Sequence, residues 1–149
     1  MKKLPIGIQT FSEIIEEGYL YIDKTQQIAD FLQAGKYLFL SRPRRFGKSL
    51  LVSTLSEIFS GNQALFQGLY IYDKIEWQSY PVIVIDFNSI SYSDDEVFKT
   101  SLLAFLDKVA ANMPSSFPIQ NKDFEYIYQN NFPIRFGCSL AVWQIVSRK

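Results

Sequence analysis

The chain has 149 residues, 48% of them hydrophobic and 16% aromatic, and its fifteen basic and fifteen acidic residues cancel. That length suits one domain with ample material for a core, and the charge balance, with a pI near 6.3, excludes a global attraction to nucleic acid or to an anionic membrane. With no histidine and one cysteine, Cys138, there is no internal disulfide, no His/Cys zinc cluster and no histidine base for Ser-His or Cys-His catalysis.

Lys2 and Lys3 are followed by Pro5, Gly7 and Gln9 where a signal peptide needs an unbroken apolar run, so the cytoplasm is the expected compartment and no membrane contact is expected. Thr10-Phe11-Ser12-Glu13 has the spacing of a capping box and predicts a short helix that Gly18 ends. After an extended piece, Tyr19 to Ile22, the run Asp23-Lys24-Thr25-Gln26 opens a second helix. Its apolar face is Ile28, Ala29, Phe31 and Leu32, and Gly35 stops it. Residues 1–35 therefore read as a helical segment packed on the unit formed by 36–149.

Tyr37 to Leu40 reads as a buried strand. It runs into Ser41-Arg42-Pro43-Arg44-Arg45-Phe46-Gly47-Lys48-Ser49-Leu50 and then into a helix whose apolar positions are Leu51, Val52, Leu55, Ile58 and Phe59, closed by Gly61-Asn62. Strand, basic loop and Gly-Lys-Ser at a helix start is the layout of a phosphate-binding loop. Gly47 lets the backbone approach a phosphate, Lys48 reaches the terminal phosphates, and the Ser49 hydroxyl is placed for Mg²⁺; Arg42, Arg44 and Arg45 add charge. The strict Walker A pattern fails at Arg42, which stands where the first glycine belongs, although Pro43 biases Arg42 toward extended geometry. The competing reading is a basic surface turn.

From Gln63 to Trp77 the chain is a compact aromatic connection, anchored by Leu65, Phe66, Leu69, Ile71 and Trp77. Pro81 to Phe87 is too apolar to have a wet face and predicts a parallel strand covered on both sides. Asp86 at its end either holds Mg²⁺, as a Walker B aspartate does, or serves as a strand-end turn residue or a neighbour of the metal ligands. Ser93-Asp94-Asp95-Glu96 is a further capping box, opening an amphipathic helix through Val97, Phe98, Leu102, Phe105, Leu106 and Val109. Breaks at Met113 to Pro118 and Phe132-Pro133 flank a short helix at Asp123 to Tyr128. The arginine loop extends into no basic stripe, so nucleic acid is not an expected partner.

Gly7-Ile8-Gln9-Thr10-Phe11, Tyr21-Ile22-Asp23-Lys24-Thr25, the loop Leu40 to Leu50, Leu65 to Leu69 and Pro81 to Phe87, in that order, resemble the N-terminal part of the bacterial AAA-ATPase-like family over residues 5 to 110. Members of that family resemble P-loop ATPases and often carry a C-terminal domain like a PD-(D/E)XK nuclease. The resemblance implies that Arg42, Pro43, Arg44, Arg45, Phe46, Gly47, Lys48, Ser49 and Leu50 form the family's own phosphate loop. It also implies that Tyr21, Asp23 and Lys24 lie near the adenine base, with helix capping the alternative role for Asp23. The family's Walker B segment, an apolar strand ending in Asp-Glu, has no counterpart here. Phe136 to Lys149 do not continue the pattern, no later strand is expected, and the chain reads as truncated or frame-shifted.

The expectation is an α/β fold: a partial P-loop NTPase-like parallel sheet with flanking helices, preceded by two short N-terminal helices. The expected function is binding of ATP with Mg²⁺ through the modified loop. With no recognisable Asp-Glu and no residue to position a water, nothing supports hydrolysis by the chain alone. The alternative is a non-catalytic protein-interaction remnant with a vestigial loop. An incomplete sheet also predicts self-association or a partner protein at its open edge.

Overall fold

A computed structural model describes residues 1–35, 40, 43, 45–80, 82–86, 93–111 and 140–144; for 85, 86, 110 and 140–144 it describes the backbone alone. The elements are α1 (Phe11–Glu16), α2 (Thr25–Gln33), α3 (Lys48–Phe59), two 3-10 helices (Gln63–Phe66 and Tyr70–Asp73), β1 (Val82–Asp86), α4 (Asp95–Ala111) and β2 (Leu140–Gln144). Residues 37–39 of the expected strand, Arg42, Arg44 and the helix expected at 123–128 lie outside the described residues.

Each helix starts and stops for a local reason. Both α1 and α3 end in Schellman motifs. Gly18, at φ 70°, donates to Ile15 O while Tyr19 donates to Ile14 O, and Gly61, at φ 77°, donates to Ile58 O while Asn62 donates to Glu57 O. At the start of α1, Thr10 occupies the cap position, yet its side chain makes no capping bond. The Phe11 N–H donates to Ser53 Oγ of α3 at 2.9 Å instead, so a tertiary contact replaces the predicted box. In α4 the cap is Asp94, one residue later than the box predicts, with its Oδ1 accepting from Val97 N at 2.8 Å.

The core gathers α1, α2, α3 and both 3-10 helices around Phe11, Ile28, Ala29, Leu55, Ile58, Phe66 and Ile71. Phe11 stacks on Phe66 at 4.6 Å, Phe66 meets Trp77 at 5.0 Å, and Tyr21 stands edge-on to Phe11 at 5.2 Å. The aromatic connection thus packs as its composition predicts, with Phe66 and Ile71 fully buried and Leu65, Leu69 and Trp77 against them. Burying one such side chain contributes about 1.5–3 kcal/mol, so this cluster is the main hold between the first helices and α3.

Two differences from expectation concern the strands. A later strand does exist: Leu140–Gln144 pairs antiparallel with β1, in the register Val82 to Gln144 through Asp86 to Leu140, and α3 packs on both strands. Its apolar run through Val142 and Trp143 satisfies an edge of β1 that would otherwise be unpaired. Further, β1 is not covered on both faces. Ile83 is buried whereas Val84 is 36% exposed, so alternate side chains see core and solvent.

Candidate functional site

Gly47 is the residue from which α3 starts. It sits at φ 73°, a conformation nearly free of penalty only for glycine, and its carbonyl accepts from Leu51 N to begin the helix. Its cap residue is glycine, which has no side chain with which to close the helix start. In the other helices, Ser53 serves the first N–H of α1, Asp23 that of α2, and Asp94 that of Val97 in α4. The opening N–H groups of a helix have no partner within it, and the backbone dipole adds about half a positive charge there, so α3 presents an anion-attracting end.

Lys48, Ser49 and Leu50 form the first turn of α3 and are half-buried. The Lys48 ammonium turns back across the loop and donates to the Pro43 carbonyl at 3.0 Å. That places its charge over the loop and not out along the helix. Pro43 and Arg45 are exposed, and Phe46 projects into solvent with 65% of its surface accessible. Arg45 has φ 67°, so two left-handed residues flank Phe46. A Cβ built at Gly47 would meet nothing within 4 Å, and the loop therefore faces open space.

The segment assigned to the base by resemblance reaches α3 from the other side. Tyr21 is half-buried, packs on Phe11 and lies beside Thr54, about 9 Å along the axis of α3 from Lys48 at 1.5 Å per residue. Burial pushes the Tyr21 phenol pKa up, the Asp23 charge adds to that, and the Thr54 side chain opposes it. Asp23 folds its carboxylate onto its own chain: Oδ1 accepts from Thr25 N at 2.8 Å and Thr25 Oγ1 at 2.7 Å, and Oδ2 accepts from Tyr70 N at 2.8 Å. Desolvation alone would raise its pKa, but these bonds outweigh it and hold the carboxyl below its ordinary 3.8. Lys24 is exposed beside it.

Two residues that hold this arrangement carried no functional signal in the sequence. Buried Thr25 accepts from Ile71 N at 3.1 Å, and buried Thr54 donates to the Leu50 carbonyl at 2.8 Å, tying the Tyr21 contact to the first turn of α3. The Asp-Lys-Thr spacing of an Asx turn could have disclosed the first.

For magnesium, the donor set present is the Ser49 hydroxyl, with Asp86 ending β1. Among the described residues no group of three or more Cys, Asp or Glu side chains converges on one point. Mg²⁺ keeps several waters and takes one or two protein ligands plus phosphate oxygens, a role a serine hydroxyl can fill.

The family described as predicted AAA-ATPase, AAA-ATPase-like, matches residues 5–132. The chain belongs to this family. Its match runs past residue 110, where the motif resemblance ends, and stops before β2. An "Uncharacterized protein in vnfD 5'region" of Azotobacter chroococcum mcd 1 is 52% identical to the chain over 88 residues, a stretch that is 58% of this chain and 17% of that relative. No solved structure matches the chain. Membership in a predicted AAA-ATPase family supports nucleotide binding at the level of the family. No helix among the described residues is long and apolar enough to cross a membrane.

Proposed function

We propose that this predicted AAA-ATPase family member binds a nucleoside triphosphate, ATP in the first instance, with Mg²⁺, at the loop that ends in Gly47-Lys48-Ser49. The observation that carries the proposal is the helix start: a left-handed glycine as its cap residue, and a lysine in the first turn whose ammonium is folded over the loop. Backbone N–H groups and the helix dipole attract the phosphates, and the Lys48 ammonium makes a stronger hydrogen bond to a charged phosphate oxygen than to a neutral carbonyl. Bound Mg²⁺ supplies charge neutralisation of the phosphate oxygens, with Ser49 as its protein ligand and Asp86 as the candidate second. Arg42, Pro43, Arg44, Arg45, Phe46 and Leu50 complete the loop, and Tyr21, Asp23 and Lys24 form the base-side wall that Thr54 joins to α3. The α/β reading is part of the same proposal: β1 and the strand expected at 37–40 form neighbouring parallel strands of a P-loop sheet. Binding, not hydrolysis, is what these residues account for.

Calorimetry with ATP, with and without Mg²⁺, on the wild-type chain and on Lys48→Ala tests this, with circular dichroism to establish that both are folded. Saturable, magnesium-dependent binding that the substitution weakens by about 2 kcal/mol, roughly 30-fold, is expected from loss of a charge-assisted phosphate contact. No binding by a folded wild-type chain would sink the proposal and leave the protein-interaction reading ahead. The open face of β1 at Val84 favours one addition, self-association or a partner protein at the sheet. A sedimentation coefficient that does not rise with concentration would remove the self-association half of it.

A further inference from the structure

Away from the loop, the first residues of the chain and the piece between α1 and α2 lie side by side. Lys3 O accepts from Leu20 N at 2.8 Å, and Met1, Lys2 and Lys3 line one hollow with Glu17, Gly18 and Tyr19, so the two pieces run in the same direction. Burial alternates along the second piece. Tyr21 turns to the core against Phe11, while Leu20 and Ile22 face out, 43% and 71% exposed. On the first piece, Leu4 is 62% exposed and Ile6 87%. These four side chains make a strip of apolar surface beside the core, and contiguous apolar patches beyond a few hundred Å² are uncommon on a surface that meets no partner.

We infer that a second copy of the chain docks on this strip, related by a two-fold axis that sets the two strips antiparallel. The charges at its ends choose the occupant. Lys2 and Lys3 stand at one end with Glu17, behind which lie Glu13 and Glu16 of α1, and Asp23 and Lys24 stand at the other; all are exposed. Each end therefore carries both signs, and a partner of one sign would gain at some of these groups and lose at others. A two-fold copy turns one end onto the other, which sets Lys2 and Lys3 opposite Asp23 and Glu17 opposite Lys24. The Asp23 carboxylate accepts from the Thr25 and Tyr70 N–H groups, which hold it as the anion that a lysine can meet. At zero net charge the two copies have no long-range repulsion to overcome. Four side chains a copy is a small contact, so the dimer is a weak one.

Sedimentation equilibrium from about 1 to 200 µM, the range in which a weak contact dissociates, tests this, with circular dichroism on every protein. The wild type is compared with Ile6→Glu, Ile22→Glu, Val84→Glu, Glu17→Lys, Lys24→Glu and the double variant Glu17→Lys/Lys24→Glu. The wild type is expected to dimerise reversibly, and Ile6→Glu and Ile22→Glu, each present twice in a dimer, to weaken it by about tenfold or more. Val84→Glu, on the open face of β1, is expected to leave it unchanged. Each single charge reversal should weaken the dimer by about two- to fivefold, and the double variant should restore it. A wild-type chain that stays monomeric throughout would overturn the inference and leave the strip to a different protein. A dimer that survives both isoleucine changes, or one that Val84→Glu alone weakens, would overturn it and move self-association to another face. Should the isoleucine variants lose their fold, the charge reversals decide the matter, and a double variant no tighter than the single ones would overturn the two-fold arrangement.

Discussion

The two ends of α3 carry glycines in nearly the same conformation, Gly47 at φ 73° and Gly61 at φ 77°, with opposite surroundings. At Gly61 the chain closes on itself. The Schellman bonds satisfy the last carbonyls, Tyr80 N donates to Phe59 O at 2.7 Å, and a Cβ would meet the Ser79 nitrogen at 3.3 Å and the Gln78 carbonyl carbon at 3.4 Å. At Gly47 a Cβ would meet nothing within 4 Å, and the glycine itself has no side chain to cap the helix. Gly7, Gly18, Gly35 and Gly68 share the positive φ and the open space of Gly47, so openness does not by itself mark a site; Gly61 is the one glycine among them at which an added Cβ would press on the protein's own backbone.

The strongest way to break that comparison is to add a side chain at each end. Gly61→Val combines left-handed strain with displacement of the backbone at 78–79, and a loss of about 3 kcal/mol is expected in urea unfolding. Gly47→Ala carries the strain alone, about 1 kcal/mol, with its larger effect on ATP affinity. Equal stability losses at the two positions would show that surroundings do not distinguish them.

A second, smaller effect is expected at the start of α2, where the helix N-terminus is closed by a carboxylate. Asp23→Ala frees the Thr25 and Tyr70 N–H groups and the Thr25 hydroxyl, and should cost about 2 kcal/mol. The pH dependence has a definite sign. Because the folded carboxyl lies below its ordinary 3.8, its contribution is fully present above that value and is lost as the pH falls through the folded pKa. Wild type minus Asp23→Ala stability, followed by urea unfolding between pH 6 and pH 2.5, should be flat at first and shrink below about pH 4. A difference that grew on acidification would show that Asp23 is not held as an anion by these bonds.

What could be read in the sequence was what local physics decides. The bounds of α3 follow from apolar spacing and from Gly61-Asn62, and the Gly47-Lys48-Ser49 turn follows from its motif. Both Schellman glycines were legible because only glycine tolerates the conformation well. Where a partner came from elsewhere in the chain, the signal failed: the Thr10 side chain makes no capping bond, and Ser53 of α3 accepts from the Phe11 N–H instead. Asp94 displaced Ser93 because a carboxylate next to the helix start is the better acceptor. The strand Leu140–Gln144 was missed because antiparallel pairing with β1 is a non-local contact that no spacing announces. The left-handed Arg45 was equally hidden, since arginine is not a residue from which that backbone is inferred. Asp23 was read in two ways, and its bonds to Thr25 and Tyr70 show the capping role while leaving the base contact to experiment.

The smallest expected effect sharpens the contrast between closed and open helix starts. Asp94 caps α4 through Val97 N, and Asp94→Ala should cost about 1 kcal/mol, the usual worth of an N-cap carboxylate. Ser93 stands next to it and contacts its other oxygen at 3.3 Å, so partial rescue by the serine hydroxyl would hold the loss at the lower end of that range. The informative readout is the second one, ATP affinity in the same variant. An anion drawn to any uncapped helix start would gain a competing site at α4, and calorimetry would then show a second binding event. A single unchanged event is expected, because α4 begins with Asp95 and Glu96 while α3 begins with Lys48, and the acidic first turn repels what the basic one attracts.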